Sequence, residues 1–207
     1  AYNMPGAFLI EGELDENRLW DAFRQLIMRD EQFRVSFVRR GMAVRAVYAE
    51  QAAFVPDDVQ GEKTWHDAFR AFVRPFDLSR APLLRAACYH GGDGAKMLFI
   101  DMPHVVSDGV SGSLLMERLN ALYAGKEPEE PSVRYRDYAV EAAAGVADEK
   151  AVAYWTQALR DFPPPLELPF DYADTHEKTG AAVSFELPEE LAKKAEKLAA
   201  ASDATPS

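Results

Sequence analysis

The sequence predicts an α/β fold in which helices pack on a mixed, largely antiparallel sheet. Apolar residues at helical spacing follow helix starts at Asp15, Thr64 and Ser111. Short apolar or alternating runs lie between these stretches, and glycine turns join them as hairpins. The chain has 207 residues, 48% of them apolar, which suffices for one domain or for one lobe of a larger domain.

The first strand and the first helix are predicted from residues 7–27. Residues 7–10 form a short apolar run that is typical of a strand. Asp15 follows as a helix N-cap, because its carboxylate can accept an unpaired N–H of the first turn. The helix should then bury a stripe at helical spacing, made of Leu19, Trp20, Phe23, Leu26 and Ile27.

Two hairpins and a helix are expected in the next part of the chain. Residues 33–48 alternate between apolar and polar types around a turn at Arg40 and Gly41. A helix marked by Trp65, Phe69 and Phe72 must end before Pro75. Runs at 82–90 and 96–102 flank the sequence GGDG at 91–94, and this loop joins strand to strand rather than strand to helix. It is therefore predicted to be a turn and not a phosphate-binding loop.

The remainder of the chain is predicted to be mainly helical. The helix from Ser111 should end at residues 124–125, before an acidic, proline-containing loop at 126–131. Further helices are expected around 138–144 and 146–159, up to the proline run at 163–165. A strand at 183–187 should lead into a helix that has Pro188 at its first position.

Composition excludes several classes of function. The net charge of −11 argues against nucleic-acid binding as a main role, since no basic stripe is available to replace phosphate counterions. Cys88 is the single cysteine, so no internal disulfide can form, and its apolar strand predicts a buried, inert thiol. We find no signal peptide and no apolar run long enough to cross a bilayer, so the cytoplasm is the expected compartment.

The stretch from residue 99 to residue 111 is the strongest candidate for a site. An apolar run ends near Met102, and His104 and Asp108 then lie between this predicted strand and the following helix. Such a junction is a favourable place for a catalytic or binding site. The strand fixes the position of the residue, and the helix directs unpaired N–H groups and its positive dipole end toward a ligand.

Four sequence blocks resemble those of one known family, the condensation domains of nonribosomal peptide synthetases. These domains belong to the superfamily of CoA-dependent acyltransferases that includes chloramphenicol acetyltransferase. His104 to Gly109 is similar to the family's H-x-x-x-D-G, and residues 29–37, RDEQFRVSF, resemble its R-H-E-x-L-R-T-x-F block. Residues 135–140, YRDYAV, and 75–78, PFDL, resemble two further family blocks.

The resemblance covers nearly the whole chain and implies its architecture. It implies a chloramphenicol acetyltransferase-like two-layer sandwich lobe, whose sheet is covered by helices. Residues 1–172 would form the N-terminal lobe without the family's first helix. Residues 166–172 already resemble the family's crossing segment. Residues 173–207 would form the crossing segment and the start of a C-terminal lobe.

The resemblance also implies an activity, in which a carrier-bound aminoacyl amine attacks a carrier-bound acyl thioester to form an amide. His104 would be the catalytic residue, and backbone N–H groups after Asp108 would stabilise the oxyanion. Asp108 would be structural, held by an ion pair with Arg29, while Gly109 would permit close backbone approach and Ser111 would belong to the motif. We expect no metal and no intrinsic cofactor.

The expected partners follow from the same resemblance. Donor and acceptor carrier domains would present the substrates on 4′-phosphopantetheine arms. The remaining lobe of the domain and a neighbouring adenylation domain are also expected partners. We expect neither nucleic acid nor a membrane as a partner.

Alternatives remain open at the level of sequence. The family motif usually has two histidines, and Pro103 occupies the first position, which is generally regarded as structural. The chain could instead be a non-catalytic lobe that docks carriers or serves as a scaffold. It could also carry out O-acyl transfer or epimerisation on the same fold, because both reactions use the same motif. Cyclodehydration is disfavoured, since that subtype has aspartate at the position of Pro103.

Overall fold

The structure is a computed structural model that describes residues 2–61, 64–92, 94–145, 148–164, 183 and 185–205. The chain divides into two compact units, Ala1–Lys150 and Ala151–Ser207. His104 and the other motif residues lie in the first unit. The lobe boundary expected at 172/173 falls on residues outside the described ranges and stays a prediction.

A three-stranded antiparallel sheet forms the centre of the first unit. Strands β1 (Gly6–Leu9), β4 (Arg85–His90) and β5 (Lys96–Asp101) are arranged in the order β1-β5-β4. The register pairs Gly6 with Ile100 and Arg85 with Asp101. All strand pairs in the described part of the chain are antiparallel, so the α/β class with a largely antiparallel sheet is confirmed.

Helices α1 (Glu16–Arg29) and α3 (Gly109–Tyr123) cover one face of this sheet. The predicted Asp15 cap forms, with the carboxylate accepting the N–H of Arg18 at 3.1 Å. All five members of the predicted α1 stripe are buried, together with Leu115, Leu119 and Leu122 of α3. They pack against side chains that point to this face from β4 and β5, among them Ala86, Cys88, Leu98 and Ile100.

Helix α2 (Trp65–Phe72) covers the opposite face of the sheet. Phe99 is fully buried there, with its ring centroid 5.2 Å from that of Phe69 and 5.7 Å from that of Phe72. Complete burial of such a ring contributes about 1.5–3 kcal/mol to folding. Helices therefore lie on both faces of the sheet, one layer more than a two-layer sandwich requires. This arrangement explains why the sequences of β4 and β5 are apolar without alternation.

A separate two-stranded hairpin consists of β2 (Val35–Arg40) and β3 (Ala43–Tyr48), as the alternation predicts. A short 3₁₀ turn, Glu31–Arg34, connects it to α1. Val35 packs in a small cluster with Leu83 and Val106, and so links the hairpin to the loop that follows β5.

The remaining elements are helical. Helix α4 (Tyr135–Gly145) belongs to the first unit, whereas most of α5 (Glu149–Ala158) and all of α6 (Glu189–Ala201) belong to the second. Pro188 is the N-cap of α6 and not its first helical residue. The predicted crossing segment at 166–172 lies outside the described residues, and the described positions of 183–187 form no strand. None of the described helices is long and apolar enough to span a membrane.

Candidate active site around His104

His104 is exposed, three residues after the end of β5. Its backbone N–H donates to the carbonyl of Tyr2 at 2.7 Å, and the Tyr2 ring lies edge-on to the imidazole with 5.3 Å between the centroids. A turn follows, in which the N–H of Val106 donates to the carbonyl of Pro103 at 3.1 Å. The structure thus places His104 at a strand end, as the sequence predicts, and its side chain is open to solvent.

Asp108 is the N-cap of α3 and forms a capping box with Ser111. Its Oδ1 accepts the N–H of Ser111 at 2.8 Å and the Ser111 hydroxyl at 2.7 Å. The hydroxyl in turn accepts the N–H of Asp108 at 3.2 Å. The helix therefore begins at Gly109, two residues before the predicted start, because Asp108 and Ser111 together satisfy its first turn.

The hydrogen bonds of this cap also set the charge of Asp108. The Ser111 hydroxyl, followed by the Ser111 N–H, lowers the pKa of the Asp108 carboxyl, and the charge of His104 adds a smaller effect of the same sign. Asp108 is therefore ionised at neutral pH, next to the candidate catalytic imidazole.

The predicted ion pair between Arg29 and Asp108 is wrong. The Arg29 guanidinium, at the end of α1, pairs instead with Glu127 at 2.5 Å and with Glu130 at 3.4 Å. These carboxylates belong to the acidic, proline-containing loop at 126–131. The loop folds back along α3, where the carbonyl of Glu129 accepts a hydrogen bond from Arg118 at 2.8 Å. The Asp108 carboxylate is bound by Ser111, through Oδ1, and not by an arginine.

Gly109 has no unusual backbone angle, since it lies outside the positive-φ region. A Cβ atom added to Gly109 would meet no neighbouring atom within 4 Å. The fold of this chain therefore does not itself require glycine at position 109. Open space at the N-terminus of α3 leaves room for another group to approach the backbone.

A buried pair of charges lies beneath this loop, and sequence analysis did not identify it. Asp101, the last residue of β5, is completely buried opposite Arg85 of β4, with 3.9 Å between Nη1 and Oδ2. Arg85 also stacks on the Phe76 ring, with its guanidinium carbon 3.7 Å from the ring centroid. The signal was present in the sequence, because each residue interrupts or ends an otherwise apolar run.

Burial governs the ionisation of both members of this pair. It raises the pKa of Asp101, an effect that the charge of Arg85 and a hydrogen bond from Asn3 oppose. Burial likewise lowers the pKa of Arg85, and the neighbouring charge of Arg74 acts in the same direction. Asn3 is the third member of this cluster, since its amide donates to Asp101 Oδ2 at 2.8 Å.

Two clefts lie near the motif. A small one of about 120 Å³ is lined by Met102, Val106, Ser107 and Ser111, together with residues of α1 and α3. A groove of about 1070 Å³ lies farther along α3, and its lining includes Arg29 and Arg118 but not His104, Asp108 or Ser111. The described residues contain no group of three or more His, Cys, Asp or Glu side chains that could hold a metal ion.

Comparison with known proteins identifies the class to which this arrangement belongs. The chain matches the condensation-domain family over residues 1–207 and is a member of that family. Gramicidin S synthase 2 of Brevibacillus brevis is 36% identical over 191 residues, which cover 89% of this chain and 4% of that protein. This chain therefore spans only a small part of the curated relative.

Solved structures agree with the family. The first condensation domain of the calcium-dependent antibiotic synthetase, solved in complex with a substrate analogue, gives a TM-score of 0.68 at 25% identity. The match covers 99% of this chain and 51% of that chain. The SgcC5 protein from Streptomyces globisporus has the same fold, with a TM-score of 0.72 at 22% identity over 99% of this chain and 50% of its own.

Proposed function

We propose that this chain supplies the histidine-bearing half of a condensation domain that forms an amide between two carrier-bound substrates. The observation that carries this proposal is the exposed imidazole of His104 at the end of β5, next to the capped start of α3, in a member of the condensation-domain family. The 51% coverage of a solved condensation domain supports the assignment to half of such a domain.

The imidazole of His104 can act on the attacking amine. The amine nitrogen bonds to the thioester carbonyl carbon, the C–S bond breaks, and a proton must pass from the amine to the departing thiolate. Histidine is the side chain best suited to hold and release a proton near neutral pH. His104 is accessible to a substrate without any movement of this unit, because its side chain is already exposed.

The first turn of α3 offers donors for the developing oxyanion. The N–H of Ser111 is bound to Asp108, and that of Gly112 donates to the Asp108 carbonyl at 3.3 Å. The N–H of Val110 also donates to the Asp108 carboxylate. This leaves the N–H of Gly109 as the candidate. The open space above Gly109 supports a close approach of the thioester at this point.

The loop that carries His104 keeps its hydrogen bonds although Pro103 stands where the family usually has a histidine. The Pro103 carbonyl accepts the Val106 N–H and the Ser107 hydroxyl, both at 3.1 Å, and Pro103 forms a bridge with Asn3. The turn that presents His104 is thus built without a histidine at position 103. Proline at position 103 is therefore no structural argument for a non-catalytic lobe.

The proposed partners are those that the chemistry requires. Donor and acceptor carrier domains would present the substrates as thioesters on 4′-phosphopantetheine arms, and the other half of the condensation domain would enclose the reaction. An adenylation domain would load the acceptor carrier. The group-transfer step needs no cofactor beyond these tethered substrates.

The test is amide formation by the full-length protein that contains this chain, with loaded donor and acceptor carriers. Intact-mass measurement of the acceptor carrier detects the condensed product. His104→Ala should lower the rate by roughly 10²–10⁴, the usual contribution of a positioned acid–base group. His66→Ala is the matched control, because His66 is exposed on α2 and should leave the rate unchanged.

Two results would contradict the proposal. A His104→Ala protein as fast as wild type would remove His104 from the mechanism. If wild type formed no product with any pair of carriers while Pro103→His did, the domain would be a degenerate scaffold.

A further inference from the structure

The first residues of the chain form a short strand segment against the backbone that carries His104. Asn3 and Pro103 are bridged in antiparallel fashion. On one side of this bridge, the Met4 N–H donates to the Met102 carbonyl at 2.7 Å. On the other side, the His104 N–H donates to the Tyr2 carbonyl, also at 2.7 Å. The position of His104 therefore depends directly on the position of residues 2–4.

The Asn3 side chain fixes that segment from beneath. Its Nδ2 donates to the Arg74 carbonyl at 2.9 Å and to Asp101 Oδ2 at 2.8 Å, so both amide hydrogens are used. These acceptors belong to different parts of the unit, the segment after α2 and the end of β5. A single amide thus ties the segment to two separate points.

The acceptors of Asn3 are themselves held in place. Asp101 is completely buried and lies opposite Arg85 in the sheet. Arg85 donates to the carbonyls of Phe72 and Pro75 at 3.3 and 3.2 Å, which fixes the chain on either side of Arg74. Arg74 pairs with Asp57 at 2.5 Å. The two acceptors of the Asn3 amide are therefore held in place by packing and by charged contacts that do not involve Asn3.

We propose that Asn3 is a positioning residue for catalysis, one that holds the Tyr2–Met4 segment on Asp101 and thereby sets the place of His104. This inference rests on the function proposed above. Both amide hydrogens of Asn3 are bound to protein acceptors, so Asn3 acts on His104 through the backbone hydrogen bond from His104 to Tyr2. Displacement of a reacting group by about 1 Å can lower a rate by about 10². Loss of the Asn3 amide should therefore lower the rate of amide formation by about ten- to hundredfold.

A double-mutant cycle in the full-length protein tests whether Asn3 acts through His104. The single variants Asn3→Ala and His104→Ala are compared with their combination in single-turnover amide formation with loaded carriers. If Asn3 positions His104, the double variant should be no slower than His104→Ala alone. A purely structural defect would instead multiply with the loss of His104. Asn120→Ala, an exposed asparagine on α3, is the control for asparagine truncation and should match wild type.

Each outcome of the cycle decides one point. A multiplicative loss, or an Asn3→Ala protein as fast as wild type, would overturn the positioning role and leave the proposed function intact. A His104→Ala protein as fast as wild type would overturn both, because there would be no catalytic histidine to position.

Hydrogen exchange gives a readout that needs no turnover. The amides of Met4 and His104 should exchange faster in Asn3→Ala than in Asn120→Ala, while amides of β4 should be unchanged. Asn3→Ser is a milder variant with a hydroxyl too short to span the Arg74 carbonyl and Asp101, and it should show the same local effect if Asn3→Ala fails to fold. Unchanged protection of His104 in both Asn3 variants would overturn the proposal.

Discussion

Gly109 lies where the backbone of α3 meets the open space beside His104. Gly109→Ala should leave the melting temperature unchanged or slightly higher, because no atom lies within 4 Å of the added Cβ and alanine is the better helix former. Amide formation should nevertheless fall by about ten- to hundredfold, since the methyl group would occupy the space through which a thioester approaches the Gly109 N–H. Thermal unfolding and single-turnover kinetics of the full-length protein measure the two effects separately.

The control for this change is Gly145→Ala at the end of α4, where an added Cβ also meets no atom within 4 Å. Equal rates for wild type, Gly109→Ala and Gly145→Ala would show that no substrate comes close to the backbone at Gly109.

Individual contacts were the hardest feature to predict from sequence. His104 was placed correctly, because the end of an apolar run identifies a strand end by composition alone. The partner of Arg29 was not, because Asp108 and Glu130 are both far from Arg29 in sequence and only the folded path of the 126–131 loop distinguishes them. The role of Asn3 depends on contacts with residues 71 and 98 positions away, to which no sequence pattern points.

The start of α3 depends on the Asp108 side chain. Asp108→Ala removes the acceptor for the Ser111 N–H and hydroxyl and should lower the melting temperature by about 2–4 °C, as expected for the loss of an N-cap. Asp108→Asn keeps an oxygen acceptor at the cap but loses the negative charge at the helix N-terminus, so it should melt between Asp108→Ala and wild type. Calorimetry on the three proteins distinguishes loss of the cap from loss of the charge.

The same cap should be sensitive to acid. Because the pKa of Asp108 is lowered in the folded state, its contribution to stability is fully present above the unfolded value of about 3.9. It is lost as the pH falls through the lower folded value. The difference in melting temperature between wild type and Asp108→Ala should therefore be constant near neutral pH and shrink below about pH 4. A difference independent of pH down to about pH 2 would show that the carboxylate charge does not stabilise the cap.

Helices and hairpins were predicted better than single contacts because their signals are local. The α1 stripe, the Asp15 cap and both hairpin turns depend on residues close together in sequence, and all of them form. The first residue of α3 was misplaced because its cap is a pair of polar side chains, Asp108 and Ser111, rather than an apolar repeat.

For the whole molecule, the order of strands follows from long-range pairing. β1 joins the sheet beside β5, where Gly6 pairs with Ile100, and no local signal in either strand specifies that partner. Helical spacing and hairpin turns predict the α/β class, whereas the presence of helices on both faces of the sheet is evident only from the burial of alternate β4 and β5 residues on opposite sides.

The exposure of His104 leads to a prediction about residues 1–207 in isolation. This chain corresponds to 51% of a solved condensation domain, and the imidazole in its first unit is open to water. A thioester beside an exposed imidazole can be attacked by water as well as by an amine. Water must therefore be excluded from the site around His104 before amide formation can outcompete hydrolysis. Residues 1–207 alone should therefore form no detectable amide between loaded carriers, whereas the full-length protein should. Intact-mass analysis of both carriers, with circular dichroism to verify that the isolated chain is folded, makes this comparison. Amide formation by the folded, isolated chain at the rate of the full-length protein would show that His104 and the start of α3 suffice for catalysis.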